Sequence, residues 1–323
     1  MKSYRISSLV YVFFSTFLII NILFLGNVYA ESIAQYNFLG DQQQGKSGSI
    51  IAGQNSGASG YSYDLEVPPG RNGLEPKLIL NYNNLNNNND NIFGYGWDLS
   101  AGYIVRDAKE GVNNLYSKNY FSINIYGDNK ELTPISLSDG THGTYGAIVE
   151  EYWKYAFNTD NSWVIYDKKG TKYTFGANLA TRQDNPSDTT QIYKWMLEEI
   201  RDTNDNYIKF EYYKDQGQIY PKRIIYTGHG SVDGPIAITF EPFFTGPTTE
   251  RVDKFFDYKA KFKITTRYIV DRINVFVTGE QGGNSVMEYD LNFTTSGNSA
   301  RSILQSIQRY GRNPSGQLES LPA

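Results

Sequence analysis

Ser162-Trp163-Val164-Ile165-Tyr166-Asp167-Lys168-Lys169-Gly170-Thr171-Lys172-Tyr173-Thr174-Phe175-Gly176 places two runs of β-branched and aromatic residues on either side of a short polar turn that ends in glycine. Such side chains suit a pleated, half-buried surface. Polar turn residues between two such runs predict an antiparallel hairpin. The same grammar recurs from Ile192 to Ile200, through Asp202-Thr203-Asn204-Asp205-Asn206, to Tyr207 to Tyr213, where period two puts Ile208, Phe210 and Tyr212 on one face. A third unit pairs Tyr268 to Val277 with Ser285 to Phe293 across Gly282-Gly283-Asn284. The units share a plan but no fixed period, which excludes a clean propeller or solenoid repeat.

Upstream, Tyr61-Ser62-Tyr63-Asp64-Leu65-Glu66-Val67 alternates and stops at Pro68-Pro69-Gly70, where a type II turn with glycine at positive φ is expected. After Arg71-Asn72-Gly73 the chain returns as Lys77 to Tyr82. Between Asn81 and Asn91 eight of eleven residues are asparagine, which predicts a solvated loop. In Ile92-Phe93-Gly94-Tyr95-Gly96-Trp97-Asp98-Leu99 the glycines admit close packing of a ring or backbone, and Phe93 and Trp97 supply buried area. The stretch 45–60 is rich in Gly, Ser, Ala and Asn, with one short strand at Ile50-Ile51-Ala52. Only Lys194 to Arg201 is helix-capable, and its flanking Tyr193 and Trp195 with the following turn favour a strand. With 27 Tyr, 18 Phe and 30 Gly, the expected fold is all-β: successive antiparallel hairpins forming a curved, extended sheet with minimal helix.

Lys2 and Arg5, the apolar run Leu9 to Leu25 and Val28-Tyr29-Ala30 before Glu31 have the layout of a cleaved secretory signal. The alternative is an uncleaved anchor, because the run approaches the length of a membrane span. The expected division is therefore a signal peptide at 1–30, a Gly/Ser-rich leader with a short strand at 31–60, and a hairpin domain at 61–323, truncated at its carboxy-terminal end, in a secreted, extracellular protein. Loss of Lys2 and Arg5 takes the net charge from −4 to about −6, which recruits neither nucleic acid nor an anionic membrane. Contact with a membrane is expected only through the signal segment, if it stays uncleaved. There are no cysteines, and His142 and His229 are the only histidines, so thiolate chemistry and disulfides are excluded and a histidine metal centre is poorly supplied.

Gly40-Asp41-Gln42-Gln43-Gln44-Gly45-Lys46-Ser47 fits the phosphate-loop pattern. The residues that follow, Gly48-Ser49-Ile50-Ile51-Ala52-Gly53, cannot begin the helix whose amides such a loop needs, so no nucleotide site is expected. The doublets Glu150-Glu151 and Glu198-Glu199 would point to opposite faces of a strand and cannot flank one glycosidic bond. Asp202 to Asn206 imitates the first half of a calcium loop but places Tyr207 and Tyr213 where glycine and a bidentate glutamate belong. His142 and His229 sit beside glycines and are expected in exposed loops. No catalytic, cofactor-binding or metal-ligating residue is assigned, and no cofactor is expected.

Three motifs in order, Ser56-Gly57-Ala58-Ser59-Gly60-Tyr61, then Val67-Pro68-Pro69-Gly70-Arg71-Asn72-Gly73-Leu74-Glu75-Pro76-Lys77-Leu78 with Leu80-Asn81-Tyr82-Asn83, then Phe93-Gly94-Tyr95-Gly96-Trp97-Asp98-Leu99 with Ile104 and Arg106, resemble a known family. It is the amino-terminal domain shared by the Salmonella plasmid virulence protein SpvB and the B components of insecticidal toxin complexes, relatives of Rhs/YD-repeat proteins. The hairpin 163–176, the strand Asn206 to Tyr213 and Ser302 to Gly311 with Leu321-Pro322 are also similar to the family, so the resemblance runs from about Gly45 to the end. It implies an exported structural or carrier domain of a toxin-like virulence protein, part of a β-sheet shell with no catalysis of its own. The implied partner is a protein, or a downstream propeller and repeat region of a toxin complex. The rival readings are a surface adhesin or carbohydrate-contacting protein using exposed Tyr and Trp, and a secreted hydrolase using carboxylates.

Overall fold

The computed structural model describes residues 49–52, 59–85, 92–99, 101–277 and 285–321. Its elements are strands and three single turns of 3-10 helix, at Arg71–Gly73, Val112–Asn114 and Leu179–Thr181. The signal segment, the phosphate-loop match and the Gly282-Gly283-Asn284 turn lie outside the described residues.

The amino-terminal strands β1 (Ser49–Ala52), β2 (Ser59–Asp64), β3 (Ile79–Asn83) and β4 (Trp97–Leu99) form a four-stranded antiparallel sheet in that order. Register sets Tyr61 opposite Tyr82 and Tyr82 opposite Trp97, so the three rings meet on one face at centroid separations of 5.5 and 6.0 Å. The other face carries Ser62, Asn81 and Asp98 side by side. Gly96, at φ +82°, is required by this packing, because a Cβ would fall 2.5 Å from the Tyr82 ring.

The expected type II turn at Gly70 is not what forms. Gly70 has φ −84°, and the positive φ values fall at Asn72 and Gly73, in the 3-10 turn. Glycine is needed at 70 for space: a Cβ would lie 1.9 Å from the Leu74 carbonyl oxygen. The segment before the turn is pinned to distant strands, as Tyr226 and Tyr289 donate their hydroxyls to the carbonyls of Pro68 (2.7 Å) and Glu66 (2.9 Å). Arg309 adds an ion pair to Glu66.

β5 (Tyr103–Arg106), β6 (Phe121–Ile125), β7 (Asp128–Leu137), β8 (Gly143–Ala147), β9 (Lys154–Phe157), β10 (Trp163–Tyr166) and β11 (Lys172–Phe175) pair in sequence. The opening hairpin is present, with Trp163 opposite Phe175. After β12 (Arg182–Asn185), the fourteen-residue β13 (Asp188–Arg201) pairs with β11 through Tyr173 and Ile200 and with β5 through Trp195 and Ile104. These two pairings close an eight-stranded barrel, which corrects the expectation of a merely curved, extended sheet. Eight strands leave an interior just wide enough for side chains to fill. Phe121, Tyr145, Phe157, Trp163 and Trp195, all essentially inaccessible, fill it. The Lys194 to Arg201 stretch is strand throughout, because its alternating Trp195 and Leu197 must face that interior.

The end of β13 leaves the barrel and pairs with β14 (Asn206–Asp215), Ile200 opposite Ile208, as the second predicted hairpin requires. The sheet continues through β15 (Gln218–His229) and β16 (Ile236–Glu241). A small two-stranded insertion, β17 (Phe255–Asp257) with β18 (Ile264–Thr266), precedes β19 (Arg272–Phe276), β20 (Met287–Thr295) and β21 (Ser302–Arg312). β19 and β20 pair as predicted, Ile273 opposite Tyr289. The described residues from 49 to 310 belong to one compact unit; 311–319 group separately, as a turn in which Asn313 accepts from the Gln317 amide and donates to Glu319.

Candidate functional site

The barrel is a solid plug. Inside it the ring of Phe157 stacks on Trp163 at 4.5 Å, and Phe121 meets Tyr145, Phe157, Trp163 and Trp195 edge-on at 5.1–5.8 Å. Arg106, at the end of β5, covers this cluster, its guanidinium 4.9 Å from Phe121 and 5.4 Å from Trp195. It donates to the carbonyls of Ile192, Leu115 and Lys118 and has no carboxylate partner among the described residues. Burial lowers its pKa to about 10, against a smaller opposing effect of Tyr116 and Tyr145.

The same end of the barrel is laced by the β7–β8 and β9–β10 turns. His142 lies against Phe157 at 4.6 Å, with Nδ1 2.7 Å from Asp139 Oδ2 and Nε2 3.2 Å from Asn161 Oδ1. It is a half-buried staple, not the exposed loop residue its glycine neighbours suggest; His229 is exposed as expected. The His142 backbone amide, its ring and the Thr141 amide hold Asp139 down at about 2. At the opposite end Trp153 stacks on Tyr173 (5.6 Å), and Lys130 lies 5.2 Å above its ring while ion-pairing with Asp128 and Glu151. Burial pushes Tyr155 and Tyr173 up to about 12.

The carboxylates singled out from sequence serve these frameworks. Glu150 accepts from the Tyr152 amide, and Glu151 pairs with Lys130. Glu198 accepts from the Asn178 amide and the Thr181 hydroxyl, whereas Glu199 chelates Arg201. Asp202 accepts from the amides of Asn204 and Asn206 and from the Asn206 side chain, the bonding of a hairpin turn. Among the described residues no cluster of three or more His, Asp or Glu side chains could hold a metal ion.

Sequence reading missed a polar belt. Arg182, Gln183 and Asp184 of β12 are buried, and they bond to Gly176, Gly217, Gln218 and Lys214. Gln218 passes the chain on to Thr266. Four consecutive polar residues, Arg182 to Asn185, carry no apolar periodicity, so only pairing with β13 makes this strand visible. Two groups of exposed apolar side chains stand out among the described residues: Ile135, Ile148, Val149 and Tyr152 beside the β8–β9 loop, and Val252, Phe256 and Tyr258 about the β17–β18 insertion. None of the four tryptophans is exposed, since Trp163 and Trp195 are buried and Trp97 and Trp153 half-buried. That removes tryptophan from the surface the adhesin reading relies on.

The model of the family described as Salmonella virulence plasmid 65kDa B protein, SpvB, matches residues 53–146 and 143–229, more than half of the chain. The chain belongs to the SpvB family. Its curated relatives include the mono(ADP-ribosyl)transferases SpvB of Salmonella choleraesuis (strain SC-B67) and Salmonella enteritidis, each 25% identical over 190 residues. The match covers 50% of this chain and 31% of theirs, so the chain spans about a third of the relatives' length. The fold is similar to that of the N-terminal domain of effector protein SpvB from Salmonella typhimurium strain LT2, with TM-score 0.62, 16% identity, and coverage of 78% of this chain and 99% of that one. It is also similar to part of TcdB2-TccC3, with TM-score 0.70, 20% identity, and coverage of 86% of this chain and 16% of that one. A third similar structure is the Photorhabdus luminescens Tc holotoxin pore, with TM-score 0.68, 23% identity, and coverage of 86% and 16%. Membership of the SpvB family makes this a toxin-like virulence domain.

Proposed function

We propose that this SpvB-family chain is an exported structural or carrier domain that forms part of a β-sheet shell in a toxin-like assembly and performs no catalysis itself. The observation that carries the reading is the aromatic-filled barrel joined through one continuous strand, β13, to an open sheet that continues through β14, β15, β16, β19, β20 and β21. A solid barrel positions a sheet rigidly, and an open sheet offers backbone groups and apolar faces to further strands. The engaged state of Glu150, Glu151, Glu198 and Glu199 favours this reading over a carboxylate hydrolase. The proposed partner is a propeller and repeat region of a toxin complex. The ADP-ribosyltransferase activity named for the relatives is left by this proposal to the parts of those proteins that the chain does not span.

The test is co-expression of this chain with a propeller and repeat region of the toxin-complex type, followed by size-exclusion chromatography with light scattering. A stoichiometric complex is expected, and independent elution of the two would oppose the proposal. Turnover on a glycan or ester substrate screen that disappears when a single carboxylate is changed would instead establish a hydrolase.

A further inference from the structure

The polar face of the small sheet does not pack against anything of its own kind. It lines a groove of about 780 Å³ whose far wall is the barrel, contributed by Tyr103 of β5 and by the β6–β7 turn with Tyr126. Ser62, Asn81 and Asp98 stand abreast on three adjacent strands, at the roughly 4.8 Å spacing of a sheet. Ser62 donates to Asn81 Oδ1 at 2.7 Å, and Asn81 donates to the Ile79 carbonyl, which leaves the amide one further hydrogen and one further lone pair. Asp64, next along the same face, is exposed, and its carboxylate has no hydrogen-bond or ion-pair partner among the described residues.

Tyr126 is the unusual element of the far wall. It adopts φ +52° in a two-residue Tyr-Gly hairpin turn, a conformation in which Asn costs less than an aromatic residue. Its hydroxyl makes no hydrogen bond among the described residues, although the residue is half-buried at the groove. The turn itself calls for positive φ here, so what marks the position is an aromatic residue where Asn or Gly is usual. Charge narrows the ligand class. The charged side chains in its lining are the carboxylates Asp64 and Asp98, and their charge is offset from beside the lining by Lys77, 5.7 Å over Tyr126, and Lys194, 4.7 Å over Tyr103. Few apolar side chains line it, which disfavours an apolar peptide. A row of short hydroxyl, amide and carboxylate groups opposite tyrosine rings suits a ligand that presents many hydroxyls and weakly apolar C–H faces.

We infer that this groove binds a neutral oligosaccharide, with Asp64 and Asp98 accepting from ring hydroxyls, Asn81 accepting from or donating to them, and Tyr103 and Tyr126 receiving a sugar face. The inference is independent of the shell reading. Its test is calorimetric titration of the full chain with maltohexaose, cellohexaose, mannohexaose and chitohexaose, alongside sialylated and sulfated oligosaccharides. Binding of at least one neutral hexasaccharide with Kd below about 1 mM is expected. Tyr126→Asn should weaken it at least about tenfold while leaving the melting temperature unchanged or higher, because Asn suits the turn better. Asp64→Asn, at an exposed carboxylate without partners, should also weaken it with no change in melting, and Val252→Ser, far from the groove, should leave it intact. No neutral ligand bound below that limit, binding only to the charged oligosaccharides, or affinity unchanged in both groove variants would overturn the inference.

Discussion

Phe157 and Trp163 lie face to face across the β9–β10 pair, their centroids 4.5 Å apart and their planes 10° from parallel. The pair sits at the centre of the barrel, where both residues are within 2% of complete burial. Trp163→Ala should therefore destabilise the domain by about 3–5 kcal/mol, the range for emptying a buried aromatic site. Urea unfolding followed by circular dichroism reads this directly. A cost below about 1 kcal/mol would mean that the rings do not form a packed core.

The seam between β11 and β13 decides whether the barrel is closed. Tyr173 pairs with Ile200, Thr174 with Glu199 and Phe175 with Leu197. Hydrogen exchange should find the β11 amides as slow as those of β6 and β10, since strands at the centre of a sheet open only with larger units. Fast exchange confined to β11 would return the fold to an open, curved sheet.

Gly70→Ala isolates a steric effect from a dihedral one. The φ of −84° suits any residue, yet the added methyl carbon would lie 1.9 Å from Leu74 O. A loss of about 1–3 kcal/mol is expected, as for overpacked sites, with disturbance of the neighbouring anchor to Tyr226 and Tyr289. Thermal melting and the tyrosine near-ultraviolet signal would report both, and a neutral outcome would show that the turn relaxes freely.

Asp139 gives a pH window with a definite sign. Its folded pKa, about 2 against an ordinary 3.8, is depressed by the amide and ring of His142 and by the amide of Thr141. The unfolded chain thus binds a proton first as pH falls, so the stabilisation is complete above about 4 and is lost between about 4 and 2. Melting temperature followed through that interval should fall less steeply for Asp139→Asn than for the parent chain. Identical slopes would remove Asp139 from the acid response.

Much of the local architecture was legible because hairpins are written in adjacent residues. Trp163 to Phe175, Ile200 with Ile208 and Ile273 with Tyr289 each combine period-two burial with a nearby turn. Closure was not legible, since it depends on Ile104 meeting Trp195 and on Tyr173 passing over β12 to reach Ile200, contacts with no local signature. Gly70 misled because glycine in a Pro-Pro-Gly turn has two uses, positive φ and small volume, and here the second applies. His142 misled because neighbouring glycines say nothing of Phe157, which arrives from another hairpin. The groove is spread over residues 62, 64, 81, 98, 103 and 126 and forms no motif. The motif that did match a pattern, Gly40 to Ser47, lies outside the described residues.

The proposed role of this SpvB-family domain is to join a shell. Its most direct measurement is the mass of the particle formed when the chain is co-expressed with a propeller and repeat region of the toxin-complex type. A one-to-one complex is expected, in which the β21 amides not paired with the short strand Leu318–Ser320 become protected from exchange. A chain that remains monomeric, with β21 exchanging as it does alone, would contradict it.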